Sequence, residues 1–203
     1  MLKRYLGLIA IFAAATANAA TGPELAAAAR SQVGVTLYYD PAYRQLSYPG
    51  GDIPIERGVC SDVVIRAYRK HGIDLQELVH RDMRAAFSQY PRKWGLKGVD
   101  RNIDHRRVLN LATYFERHGQ SFKVNRAPSA YAAGDIVTWM LPGALPHIGI
   151  VSSQLGANGI PLVIHNIGAG TQIEDRLFAY EITGHYRFTG ADLDKPGLAR
   201  SAQ

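Results

Sequence analysis

The 203-residue chain holds a single cysteine, Cys60, so an intramolecular disulfide is excluded. It also lacks any Cys-x-x-Cys or His-x-x-x-His pair. Cys60, Asp62, His147 and His165 include residue types that bind zinc, but without such short spacing they argue against a metal site. A phosphate-cradling glycine loop is missing too: Gly168-Ala169-Gly170 follows a strand pattern, and no helix pattern opens after it. No cofactor is expected. The basic residues are scattered and accompanied by no recognition motif, which excludes nucleic acid as the expected partner. There is no internal repeat and no low-complexity segment. Beyond the N-terminus, no apolar stretch approaches the roughly 20 residues that a membrane-spanning helix needs.

The N-terminus is different. Met1-Leu2-Lys3-Arg4 precedes an apolar run from Tyr5 to Ala15, and Ala17-Asn18-Ala19 follows. A basic start, about ten apolar residues and an A-x-A step form the pattern of a secretory signal peptide. Residues 1–19 are therefore expected to be removed, placing the protein in the periplasm or outside the cell without stable membrane insertion. Residues 20–190 read as one domain, long enough for a substantial core, and 191–203 as a frayed tail. Loss of Lys3 and Arg4 reduces the formal charge from +6 to about +4, still basic and suited to contact with anionic envelope polymers. A monomer is expected.

Helical patterns come first along the chain. Residues 23–33 read as a helix with Pro23 at its start and Gly34 as its stop. A Tyr-, Pro- and Gly-rich loop runs from Tyr38 to Gly58. From Cys60 the apolar positions 60, 63, 64 and 67 share one helix face, ended by Gly72. Helical spacing resumes from Leu75 to Tyr90, and Asp104 is placed to cap a further helix carrying Val108, Leu111, Ala112 and Phe115. Then the period changes to that of strands: 135–140, 147–152 and 161–166, the last two joined at the hairpin signal Asn158-Gly159. Residues 184–188 read as an edge strand. Helices followed by an antiparallel sheet give an α+β fold.

At the first turn of its helix, Cys60 meets free backbone N–H groups that favour a thiolate. It is a buried small hydrophobe, an intermolecular bridge or a nucleophile. A nucleophilic cysteine needs an imidazole to take its proton and a third group to orient that imidazole. His147, opening one strand, and His165, near the end of the next, can meet if the register puts them on one face. Asn166 is the alternative third residue. Asp62 is either a pocket residue or a first-turn carboxylate favoured by the helix dipole, and a carboxylate there opposes thiolate formation. Arg66 and the pair Arg106-Arg107 either recognise a substrate carboxylate or form solvated helix faces.

The order of these segments resembles the NlpC-type cysteine peptidases, papain-like enzymes that cut peptidoglycan peptides. The matching segments are the Ala-rich helix and Tyr-containing loop from Ala26 to Tyr39, then Val59-Cys60-Ser61-Asp62. Gly134-Asp135-Ile136-Val137, His147-Ile148-Gly149-Ile150 and His165 follow. Two family positions differ: Val59 stands where the family has Asp, and Asp62 where it has Gly. Together with Tyr48-Pro49-Gly50-Gly51-Asp52, residues 102–107 and His165-Asn166-Ile167-Gly168-Ala169-Gly170, the chain looks like the exported bacterial family known as domain of unknown function 1287.

The resemblance implies a papain-like fold with helices packed on a C-terminal antiparallel sheet. It also implies cleavage of an amide bond in peptidoglycan or another envelope peptide. Cys60 would be the nucleophile, His147 the base and His165 its orienting partner. Tyr48 resembles in placement the tyrosine that lines the family's site; Asp62 and Asn166 are the further substrate-site candidates that the residues themselves offer. The cysteine precedes the histidine in sequence, unlike the circularly permuted relatives. A non-catalytic envelope-binding module on the same fold is the alternative, motivated by Val59 and Asp62. An amidase or acyltransferase acting on another amide is a third.

Overall fold

A computed structural model describes residues 19–93, 95 and 97–191. Except for Ala19 and Ala191, the expected signal peptide and tail lie outside the described residues. Helix α1 (Gly22–Arg30) begins at a reciprocal cap. The Glu24 N–H donates to Thr21 Oγ1 at 3.4 Å, and the Thr21 N–H donates to Glu24 Oε2 at 2.8 Å. The helix ends at Arg30, short of the expected bound, and Gly34 takes a φ of 76° in the turns beyond it.

Strands β1 (Tyr38–Tyr39) and β2 (Arg57–Gly58) pair in parallel, closing the Tyr/Pro/Gly loop immediately before α2 (Cys60–Arg69). Helix α3 (Leu75–Ala86) is capped by Asp74, whose carboxylate accepts the Gln76 N–H at 3.0 Å. A short 3₁₀ turn at Asp104–Arg106 leads into α4 (Val108–His118). Asp104 is therefore not the cap of α4: Arg107 holds that position. The extra turn instead directs the buried Asp104 carboxylate to the Asp100 N–H and to Arg107.

The remaining strands are β3 (Gln120–Ser121), β4 (Ile136–Leu141), β5 (Leu145–Leu155), β6 (Pro161–His165), β7 (Gln172–Glu174) and β8 (Glu181–Arg187). They form one antiparallel sheet in the order β3-β8-β4-β5-β6-β7. The fold is α+β, as its sequence pattern indicates. The strand expected at the edge is in fact interior, because β8 lies between β4 and the two-residue β3. Buried Asp135 ties that pairing together, accepting from Arg187 Nε at 2.7 Å and lying 2.8 Å from His185 Nε2.

Each face of the sheet has its own apolar layer. Ile136, Ile148, Ile150 and Ile164 face the helices, where they meet Leu25, Val64 and Tyr68. Val137, Trp139, Val151 and Val163 point the other way, onto Tyr131 and Leu177. Full burial of each of these isoleucines contributes about 1.5–3 kcal/mol. Helix α2 is buried from Cys60 through Tyr68, enclosed by the other helices and the sheet. The start of α1 crosses the lead-in to β4 so closely that a Cβ on Gly22 or Gly134 would collide with the opposing backbone. Among the described residues, no helix is long and apolar enough to cross a membrane.

Candidate active site

Cys60 is the first residue of α2, directly after the extended Val59. Val59 offers no capping side chain, so Asp62 reaches back to take its N–H at 2.7 Å. The thiol is 5% exposed and lines a cleft of about 200 Å³ with Tyr39, Pro41, Val59, Arg106 and Pro146. Burial pushes the thiol up to about 11. The backbone N–H groups of Ile148, Ser61 and Cys60 approach the sulfur and favour the thiolate, while Asp62 adds to the rise. At neutral pH the resting group is therefore a thiol.

The Asp62 carboxylate does not face the sulfur uncompensated. Arg106 grips it with two parallel bonds, Nε to Oδ1 and Nη2 to Oδ2, both 2.9 Å. The two side chains are 4% and 3% exposed. The guanidinium also donates to Ala42 O at 3.2 Å and Asp40 O at 3.1 Å, pinning the loop that forms one wall of the cleft. Of the two readings of Arg106, neither a solvated helix face nor a free carboxylate receptor describes it, while Asp62 is the first-turn carboxylate of α2. They form a buried, mutually neutralised pair.

Cross-strand pairing sets the histidines. His147 on β5 lies opposite Trp139 on β4, and their ring centroids are 5.7 Å apart. His147 Nε2 lies 2.8 Å from His165 Nδ1. The other nitrogen of His165, Nε2, lies 3.1 Å from Glu174 Oε2 on β7. Gly149 permits this approach, since a Cβ there would come within 3.1 Å of His165 Cβ. Burial, reinforced by His165, depresses His147 to about 3, so its imidazole is neutral across the physiological range. Burial also lowers His165, with Glu174 acting in the opposite direction.

The structure thus brings His147 and His165 into direct contact. They do not line one cleft with the cysteine as expected: Cys60 packs on the sheet face of Ile148, whereas His147 and His165 share the opposite face with Trp139 and Val163. Asn166 serves elsewhere, its Nδ2 donating to Gly58 O at 3.0 Å and its Oδ1 accepting the Gly168 N–H at 3.1 Å. This links the end of β6 to the approach to α2. Tyr48 does not line the cleft. It packs edge-on against His80 and under Arg101, held there by the loop that Arg66 fixes through Asp52.

The tyrosine that lines the cleft is Tyr39, whose hydroxyl is pushed up by burial and by its proximity to Cys60 and Asp62. Tyr39 and Glu174 are the site residues that reading the sequence did not single out. The polar–apolar–polar alternation of Gln172-Ile173-Glu174 was the available signal for the second. Among the described residues, no group of three or more His, Cys, Asp or Glu side chains is arranged to hold a metal ion.

Comparison with known proteins adds three likenesses. Uncharacterized protein YijF of Escherichia coli K12 is 58% identical over 171 residues, covering 84% of this chain and 83% of that protein. The solved structures of NlpC1 and NlpC2 from Trichomonas vaginalis are each 16% identical, with TM-scores of 0.45 and 0.43. They match over 84% and 86% of this chain, which spans 45% and 49% of those two proteins, about half their length. The model of the domain of unknown function DUF1287 matches residues 26–188, and the chain belongs to that family.

Proposed function

We propose that the protein is an exported cysteine hydrolase that cleaves an amide bond in an envelope peptide, with peptidoglycan stem peptides as the substrate. The observation that carries this reading is the Cys60 thiol as the first residue of α2, lining an open cleft of about 200 Å³. A thiol at a helix start and an open cleft beside it are two of the parts that acyl transfer requires. The His147 and His165 rings lie on the opposite face of the sheet, with Trp139 and Val163, so the base step requires the His147 ring to turn toward the sulfur.

With thiol and imidazole both neutral at rest, His147 acts as a general base. When the substrate carbonyl occupies the cleft, His147 takes the thiol proton as Sγ attacks the carbonyl carbon. The Cys60 backbone N–H, at the start of α2, donates to the developing oxyanion. Collapse of the tetrahedral intermediate breaks the C–N bond, and the imidazolium protonates the leaving amine. Water, deprotonated by His147, then hydrolyses the thioester. The cleft walls are largely apolar, and Arg106 is bound to Asp62. The group beside the scissile carbonyl is therefore small and uncharged.

Digestion of purified sacculi with wild type and Cys60→Ala, followed by muropeptide chromatography, tests the reading. New fragments that depend on Cys60 support it, and identical profiles from the two proteins sink it. A non-catalytic binding module is favoured by one observation, the burial that raises the thiol to about 11. A thiol-reactive probe separates the two: labelling of Cys60 that depends on His147 belongs to the enzyme, and an inert Cys60 to the module.

A further inference from the structure

The segment that carries Tyr39 to the cleft also carries Tyr38 and Tyr43, which stay 54% and 58% exposed. An exposed tyrosine ordinarily leaves its hydroxyl in water and its ring free to change rotamer. These two are held. The Tyr43 hydroxyl donates to Asp100 Oδ2 at 3.0 Å and accepts from Asn102 Nδ2 at 3.1 Å. The Arg57 guanidinium backs one face of the Tyr38 ring, its central carbon 5.4 Å from the ring centre.

The backbone around them is pinned as well. The Asp40 N–H donates to Gly58 O at 3.0 Å, the Ala42 N–H to Asp40 Oδ1 at 3.0 Å, and the Leu46 N–H to Asn102 Oδ1 at 2.9 Å. Arg106 takes the Asp40 and Ala42 carbonyls from the inside. Immobilising a side chain costs rotamer entropy, and full burial of these rings does not offset it. Aromatic faces held rigid in solvent suit a ligand, which then meets them already ordered.

The chemistry of the surface selects that ligand. A tyrosine face is electron-rich. The C–H groups on the flat face of a pyranose ring are electron-poor, because each carbon carries an oxygen or nitrogen. Polar groups for sugar hydroxyls and amides stand beside both rings: Asp100 and Asn102 at Tyr43, and Arg57 at Tyr38. Arg44 and Arg57 both contact Asp40, at 2.8 and 3.8 Å, so an anionic polymer meets cations already partly compensated.

We propose that Tyr38 and Tyr43 form a saccharide-binding platform that takes the glycan chain bearing the envelope peptide. Tyr39 makes the platform continuous with the cleft, so a peptide at Cys60 and its sugar are bound by one wall. The inference rests on the substrate proposed above, but its test requires no turnover.

Full-chain Cys60→Ala protein is passed over immobilised peptidoglycan glycan strands stripped of their peptides. Retention is expected, weakened about fivefold or more by Tyr38→Ala and by Tyr43→Ala in proteins that melt at the parent temperature. Absence of retention, or retention that neither variant changes, overturns the proposal. So does concentration-dependent self-association that the same variants abolish, which would assign the surface to a second copy of the chain. Glycan retention without Cys60-dependent cleavage of sacculi upholds the platform and removes the hydrolase reading; cleavage without retention does the reverse.

Discussion

Arg106 and Asp62 meet through two 2.9 Å bonds directly beside the only thiol in the chain, and both charged groups are buried. The same carboxylate accepts the Val59 N–H at 2.7 Å, so the pair is built into the first turn of α2. Breaking it leaves one charge buried without compensation. Arg106→Met or Asp62→Ala should therefore lower stability by about 3–5 kcal/mol, read from urea unfolding. A loss below about 1 kcal/mol, the range of an exposed pair, would show that solvent reaches the site.

Thiol reactivity follows from the direction of the Cys60 shift. With the thiol near 11, its iodoacetamide labelling rate should climb by roughly tenfold per pH unit from neutrality upward. A plateau already present at pH 6–7 would mean a preformed thiolate–imidazolium pair, and the general-base step would be wrong.

The charge preference of the cleft can be read with two small alkylating agents. Because Arg106 is neutralised by Asp62, wild type should react faster with neutral iodoacetamide than with anionic iodoacetate. Asp62→Asn releases that positive charge and should shift the ratio toward iodoacetate. An unchanged ratio in a folded Asp62→Asn protein would show that Arg106 does not govern the cleft.

Acid stability should report the buried neutral histidines. His147 and His105 are both depressed to about 3, chiefly by burial. The unfolded chain binds protons at an ordinary histidine value of about 6.5, so between the two values it holds more protons than the native state. Stability therefore falls as pH drops from about 6.5 toward 3, and rises again with pH. His147→Gln should flatten part of that slope in thermal melts; a slope identical to wild type would place the proton uptake elsewhere.

Gly149 offers a steric test. A methyl group there would lie 2.9 Å from Ile164 O and press on His165 Cβ. Overpacking of this kind costs about 1–3 kcal/mol, so Gly149→Ala should destabilise the protein and displace His165 from His147 together. Unchanged chemical shifts of both histidines in this variant would contradict the packing described.

Much of this architecture was legible in local sequence. Helix starts at Pro23 and Cys60 and the Asn158-Gly159 turn are written in neighbouring residues, so they could be read. The interior place of β8 could not, because strand order depends on pairings such as Ile136 with Tyr186 that bridge distant segments. Asp104 looked like a cap, yet its nearest N–H partner is Asp100, four residues back. Tyr39 and Tyr48 both stand in a Tyr-rich loop; only the β1–β2 pairing decides which reaches the cleft. The contact of His165 with His147 is visible as a hairpin register, but Glu174 enters through a three-residue strand too short to announce itself.

The enclosure of α2 has a mechanical consequence. A helix gripped on nearly every side cannot rotate or slide without unpacking Val64, Ala67 and Tyr68, so the sulfur at its first turn is a fixed point in the molecule. One wall of the cleft at that point comes from the segment between Tyr38 and Gly58, which Arg66 holds through Asp52 and Arg106 holds through the Asp40 carbonyl. The two arginines tie that wall to the helix and the 3₁₀ turn, so the opening above the cysteine is set by two buried cations rather than by apolar packing alone.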